Sequence, residues 1–253
     1  VVFSGEDFTL AQGVKNGDYD VLSMLPDSYY DELNAAEEIT VVEASGAEVN
    51  YVELNMLDPL FQDINVRKAI VRAINRDNLA SYMSITQKPA FSLVLDKCLN
   101  YDEEVVTWYK ENYDYDLEAA KQLLADAGWT DTDGDGFVDK DGQKFTFEID
   151  SRDTESAKKI SQSIQADMKA LGIDATIKTQ NWSYVNQDVE DGNFQMGYLG
   201  LGWSEPFLLV DLFCQRNPEA TNPDPAGQEA MVAAARKIVD YDEITVAITE
   251  IQK

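Results

Sequence analysis

The feature that most constrains this chain is a change of hydrophobic period between Phe145 and Ile177. Phe145, Phe147 and Ile149 alternate with polar residues, the period of a half-buried strand. From Ser156 to Leu171 the period becomes helical, with Ile160, Ile164, Met168 and Leu171 on one face and Gly172 as the stop. Ala175-Thr176-Ile177 then reads as a second strand. Strand, amphipathic helix and strand in succession form a βαβ unit, which requires a parallel pair and a covering helix. The chain is therefore expected to be α/β, a mixed sheet flanked by helices.

The remaining segments read around this unit. Phe8 to Lys15 is a short helix closed by Asn16-Gly17. Tyr19 to Leu22, Ile39 to Val42 and Asn50 to Leu54 read as strands. Asn65 is placed as N-cap of a helix carrying Val66, Ile70 and Ile74. Its basic residues Arg67, Lys68, Arg72 and Arg76 read as a solvated face paired with surface acids. Gln87 to Tyr115 reads as irregular and aromatic-rich. Asp116 caps Leu117 to Ala127, and Gly128 supplies a left-handed stop. Trp182 to Val189 is a short helix, and Phe194 to Leu199 a strand running into a glycine-punctuated turn, Gly200 to Trp203. Ala226 to Asp240 is a helix, and another begins near Ile244.

Charge excludes some functions. Lys plus Arg is 20 and Asp plus Glu is 47, a formal net charge of −27. Such a field repels phosphate backbones, so nucleic acid is not an expected partner. Read plainly, the excess keeps a surface solvated; read sharply, it favours cationic ligands or divalent metals. The chain has no histidine, which removes Ser-His-Asp and Cys-His catalysis and His-ligated zinc. No carboxylate pair stands out for general acid/base work, and no phosphate-binding glycine loop is present, so no enzyme activity is expected. Val1 is not a start methionine and Val1 to Gly5 has no signal-peptide pattern, so a processed or excised piece is expected. Cys98 and Cys214 either bridge in an exported protein or are two separate buried thiols.

Four stretches together resemble the extracellular solute-binding proteins of the peptide/nickel ABC-transporter type. They are Leu10 to Asp20; Pro59 to Ile70 with Ala73 to Asp77; Ala120 to Trp129 with Asp131 to Gly136; and Leu171 to Ala175 with Trp182 and Phe194 to Trp203. The resemblance implies a periplasmic-binding-protein-like (type II) fold, two α/β lobes around a cleft that closes on its ligand. It implies that residues 1–46 are a remnant of the first lobe and 47–253 most of the C-terminal lobe. It implies a component of an ABC importer that binds short peptides, needs no cofactor, docks on a membrane permease, and is extracellular or periplasmic, anchored as a lipoprotein. Oligosaccharide and nickel binders belong to the same family, and a non-transport interaction module is the other alternative.

In peptide binders of this type a carboxylate just after a Gly-Trp pair meets the peptide's amino group. Gly202-Trp203-Ser204-Glu205 stands at that place. The usual aspartate is absent, Glu205 is nearest, and Asp211 is the alternative acid. A buried ammonium needs an opposite charge, and Trp203 offers a broad apolar wall. The other candidate is Asp131, Asp133, Asp135 and Asp139, whose spacing with Gly136 matches the start of an EF-hand calcium loop. Position twelve is Gly142 in place of the bidentate Glu, and a polar turn explains the same residues.

Overall fold

The computed structural model describes residues 6–23, 25–43, 46–84, 87–202, 205 and 224–253. Over these residues the chain divides into two compact units, Val1–Ser45 with Ser84–Thr86, and Gly46–Met83 with Gln87–Lys253.

The first unit carries α1 (Asp7–Lys15), a 3-10 turn (Asp27–Tyr29) and α2 (Tyr30–Asn34). Gly17, in the turn expected to close α1, has φ 76°, in the left-handed region. Tyr19 to Leu22 and Ile39 to Val42 are not strands. Val21 is 83% exposed and Val42 80%. A strand persists only where a neighbour takes its N–H and C=O groups, and no described strand lies in this unit.

The second unit is built on a four-stranded mixed sheet of order β1-β6-β4-β5. The strands are β1 (Glu48–Leu54), β4 (Thr146–Arg152), β5 (Asp174–Gln180) and β6 (Met196–Gly202). β4 runs parallel to β5, from Thr146↔Asp174 to Arg152↔Gln180, and parallel to β6 at Ile149↔Met196. β1 is antiparallel to β6, from Glu48↔Gly202 to Leu54↔Met196. The helix between β4 and β5 is α7 (Glu155–Leu171), capped by Thr154 and stopped by Gly172 at φ 89°. This is the βαβ unit that the hydrophobic periods predict.

Alternation along β4 sends Phe147, Ile149 and Ser151 to one face and Glu148 and Asp150 to the other. On the first face Ile160, Ile164, Met168 and Leu171 of α7 bury Ile149 and the neighbouring Phe145. Two helices complete this layer, α3 (Ile64–Ala73) and α6 (Leu117–Asp126), through Ile70 and Leu124. Phe145 is the aromatic centre, its ring 4.5 Å from that of Trp129 and 6.2 Å from that of Phe147. On the other face α8 (Trp182–Asp191) packs Val185 and Val189 on Phe194 and Leu199.

Several boundaries differ from the sequence reading. The N-cap of α3 is Asp63 rather than Asn65, because the Asp63 carboxylate accepts the Asn65 N–H at 2.8 Å. The basic stretch breaks at Ile74, whose ψ of 117° leaves the helical range, and α4 (Arg76–Met83) follows. The stretch read as irregular contains α5 (Glu103–Tyr113), capped by Asp102. Only Val105 of α5 is buried, so its apolar stripe is too thin to register as a period. A small hairpin, β2 (Asp139–Lys140) with β3 (Gln143–Lys144), precedes β4. α9 (Pro225–Ala235) is shorter than expected, and α10 (Tyr241–Gln252) starts earlier because Asp240 caps it. The turn expected at Gly200 to Gly202 is instead the end of β6.

Candidate functional site

In an open α/β sheet, ligands gather beyond the carboxyl ends of the parallel strands. Here those ends are Arg152 of β4, Gln180 of β5 and Gly202 of β6, with Glu48 of β1 beside the last. Arg152 is the cation at this edge. Its guanidinium lies over the ring of Trp182, 5.5 Å from the centroid, and over that of Tyr198, at 5.2 Å. Trp182 reaches it because α8 begins two residues after β5, with Asn181 as N-cap.

One polar atom organises the cluster. The Asn50 Oδ1 accepts from Arg152 Nη2 at 3.2 Å and from the Tyr198 hydroxyl at 3.3 Å. The Arg152 Nε is buried with no hydrogen-bond partner. No carboxylate among the described residues lies within ion-pair distance of Arg152. Burial pushes the Tyr198 phenol up, against the opposing pull of Arg152. The site thus holds an arginine over two aromatic rings whose charge has no acidic partner among the described residues. Such a group is suited to an anionic ligand terminus, above all a planar carboxylate.

Behind this edge a charged hub ties α8 to the sheet. Lys178 Nζ lies 3.0 Å from Asp150, 2.9 Å from Asp188 and 3.8 Å from Glu148. Gln180 donates to Asp150 at 3.2 Å and to Asp188 at 2.6 Å. The Asp150 side chain is 1% exposed, and its burial raises its pKa even with Lys178 beside it. Burial works against the Lys178 charge, but its bonds to Asp188 and Asp150 outweigh that and push its pKa upward. The hydrogen bond from Lys178 holds Asp188 below the ordinary carboxylate range.

A cavity of about 360 Å³ lies at the opposite end of these strands, lined by Asn55, Asp58, Glu148, Asp150, Phe194 and Gln195 among others. Its polar groups bond to one another. Gln195 donates to Asp58 at 2.8 Å and accepts the Glu148 N–H at 2.8 Å, and Asn55 donates to the carbonyls of Gly192 and Phe194. It is the less suited to a ligand, because these groups are satisfied internally.

The residues singled out from sequence fall as follows. Gly202 ends β6 opposite Glu48, and Glu205 is exposed just beyond it. Trp203, Ser204 and Asp211 lie outside the described residues. Asp131, Asp133 and Asp139 bring carboxylate oxygens within 4.8 Å of one another, while Asp135 turns away to pair with Lys144. The loop's acids are engaged with their own chain. Asp131 accepts the N–H groups of Gly134 at 2.7 Å and Gly136 at 3.0 Å, and Asp139 accepts from Thr132. Cys98 is a free thiol packed near Val94, and Cys214 lies outside the described residues. Arg152, Asn50 and Tyr198 were not singled out by the sequence. The available signal was a lone arginine where a strand meets a helix, on the edge where ligands gather.

The family model for bacterial extracellular solute-binding proteins, family 5 Middle, matches residues 1–215. The oligopeptide-binding protein AppA of Bacillus subtilis is 30% identical over 156 residues, which are 61% of this chain and 28% of AppA. The dipeptide-binding protein of Escherichia coli is 27% identical over 191 residues, 73% of this chain and 33% of that protein. The solved structure of Bacillus subtilis AppA in complex with a nonapeptide superposes with a TM-score of 0.76 at 22% identity, over 98% of this chain and 50% of that one. The fold is therefore that of the type II periplasmic binding proteins, and the chain spans about half the length of this solved relative.

Proposed function

This chain belongs to the family 5 bacterial extracellular solute-binding proteins, and from that premise we propose that the intact protein binds short peptides for an ABC importer. In this reading residues 47–253 are most of the C-terminal lobe and form one wall of the ligand cleft, and residues 1–46 belong to the first lobe. The observation that carries it is Arg152, stacked on Trp182 and Tyr198 at the carboxyl strand ends and without an acidic partner among the described residues. It reads the peptide's terminal carboxylate. Glu205, just past β6, is the acid for the ligand's ammonium, with Gly202, Trp203, Ser204 and Asp211 as further ligand-binding candidates. A peptide offers its backbone in extended form and one charge at each end, which suits a sheet edge bearing a cation with an acid just beyond it. The partner is a membrane permease, and the protein works outside the cytoplasmic membrane, held there by a lipid anchor. No described helix is long and apolar enough to cross a membrane.

The test uses the intact protein with pools of di- to pentapeptides. Binding raises the melting temperature by mass action. Arg152→Met removes a charge-assisted bond of about 1.5–3 kcal/mol, so affinity falls roughly ten- to a hundredfold. The absence of a melting shift with every peptide pool would sink the reading. A shift that persists undiminished in Arg152→Met would remove Arg152 from it.

A further inference from the structure

An arginine in a chain of net charge −27 has many internal acids available to it, and several described cations here take one. Lys178, Lys144, Lys158, Lys253 and Arg72 all pair with carboxylates. Arg152 does not. The side chain that meets its Nη2 is the neutral amide of Asn50, which also receives the Tyr198 hydroxyl. The acid next along β1, Glu48, faces the same cluster and raises the Tyr198 pKa, yet stands outside ion-pair distance of Arg152.

Asn50 reaches this position because Gly200 lies opposite it in the β1–β6 ladder. A Cβ at Gly200 would sit 2.8 Å from Asn50 Oδ1 and 3.1 Å from Glu48 Oε1. The φ of Gly200 is not in the left-handed region, so the backbone would accept alanine. What the glycine provides is room for the Asn50 amide.

We infer that Asn50, given room by Gly200, is a specificity-determining residue that holds Arg152 in place while leaving its charge for an anionic ligand. Asn50 is a positioning residue, since it acts through Arg152. The inference rests on the reading above, in which Arg152 meets the ligand carboxylate. Asparagine and aspartate have the same shape, so the choice between them is one of charge. An aspartate here would pair with the guanidinium and neutralise it before a ligand arrives. The amide accepts the same hydrogen bond without doing so. An oriented acceptor combined with an unspent charge also pre-organises the site, because no internal salt bridge must break on binding.

The experiment measures capture of a tripeptide pool with free carboxyl termini, and of the same pool amidated, by the intact protein. Mass spectrometry quantifies what is retained, and melting curves check folding. The parent is expected to prefer the free acids. Asn50→Asp is expected to lose about tenfold or more of that affinity with amide binding unchanged, while its melting temperature holds or rises. A residue needed only for structure would lower stability and bind both pools worse. Gly200→Ala displaces the amide without adding charge and is expected to reduce the preference several-fold. If the parent shows no preference for free acids, the carboxylate reading fails and this inference falls with it. If the parent shows the preference and both folded variants retain it, the inference alone is overturned. Should Asn50→Asp not fold, Gly200→Ala decides: a lost preference supports the role of Asn50, and a retained one refutes it.

Discussion

Replacing Lys178 by methionine removes the single cation from a hub that holds three acids. Removing one partner of a fully buried ion pair costs about 3–5 kcal/mol, because the other charge is left without compensation. That range needs a discount here. Lys178 is 36% exposed and Asp188 26%, so water partly screens both, and only Asp150, at 1%, is sealed from it. Gln180 also continues to donate to both acids in the variant. We therefore expect a loss of about 2 kcal/mol at neutral pH. The pH dependence follows from Asp150, whose folded pKa burial already raises and from which Lys178 is the opposing influence. A carboxyl with a raised folded pKa favours the folded state when protonated, and that contribution is lost as pH rises through the folded value. The deficit of Lys178→Met against the parent should accordingly shrink as pH is lowered from neutral to acid, since Asp150 then takes a proton on folding. Urea unfolding followed by far-UV circular dichroism and tryptophan fluorescence measures this, provided that the two signals coincide. The double variant Lys178→Met/Asp150→Asn should recover most of the loss. A deficit equal at neutral and acid pH, or below about 0.5 kcal/mol at neutrality, would show that the hub is solvated and that Asp150 is not a buried charge.

Phe145→Ala, in the centre of the aromatic cluster with 0% exposure, should cost about 3–5 kcal/mol by the same unfolding assay. Gly172→Ala places a side chain at φ 89° and within 3.2 Å of a Val138 methyl, so about 1–2 kcal/mol is expected. Asp102 accepts from Thr249 at 2.7 Å and from the Glu104 N–H at 2.9 Å, which together hold its pKa below the ordinary value. Asp102→Asn should therefore cost about 1 kcal/mol at neutral pH. That gap should close as acid protonates the parent's carboxylate, because stability from a depressed carboxyl is lost as pH falls through its folded pKa. Calcium at about 1 mM is expected to leave the melting temperature unchanged, since the oxygens of Asp131 and Asp139 already accept loop donors and Asp135 faces Lys144; a saturable rise would instead place the ion in that loop.

The elements legible in the sequence were those whose signal is local. Asp116 before an apolar stripe, Gly172 after one, and the alternation of Phe145, Phe147 and Ile149 each express a backbone requirement within a few residues. The reading failed where the signal depends on a partner distant in sequence. Val21 and Val42 lie in short apolar runs of strand-forming residues, but have no ladder among the described residues. α5 is anchored through the bond between Asp102 and Thr249, 147 residues apart, and not through a broad apolar face. The site was harder still. Asn50, Arg152, Trp182 and Tyr198 come from four separate elements, and nothing in the residues around any one of them reveals the others.

β6 shows why a run of glycines in a strand misleads. Gly197, Gly200 and Gly202 lower strand propensity, and on that ground the segment after Leu199 read as a turn. Each glycine instead clears a different neighbour. A Cβ at Gly197 would meet a Val189 methyl at 3.1 Å, so this position sets how closely α8 packs on the sheet. At Gly202 it would meet the Glu48 Cα at 3.1 Å, which sets the approach of β1 at the end of the ladder. At Gly200 it would meet the Asn50 amide that carries Arg152. The entropic cost of three glycines, about 0.5–1 kcal/mol each against alanine, is thus matched to three contacts at and behind one edge of the sheet. Glycine in this strand therefore records how near its neighbours must come, which neither propensity nor alternation can express.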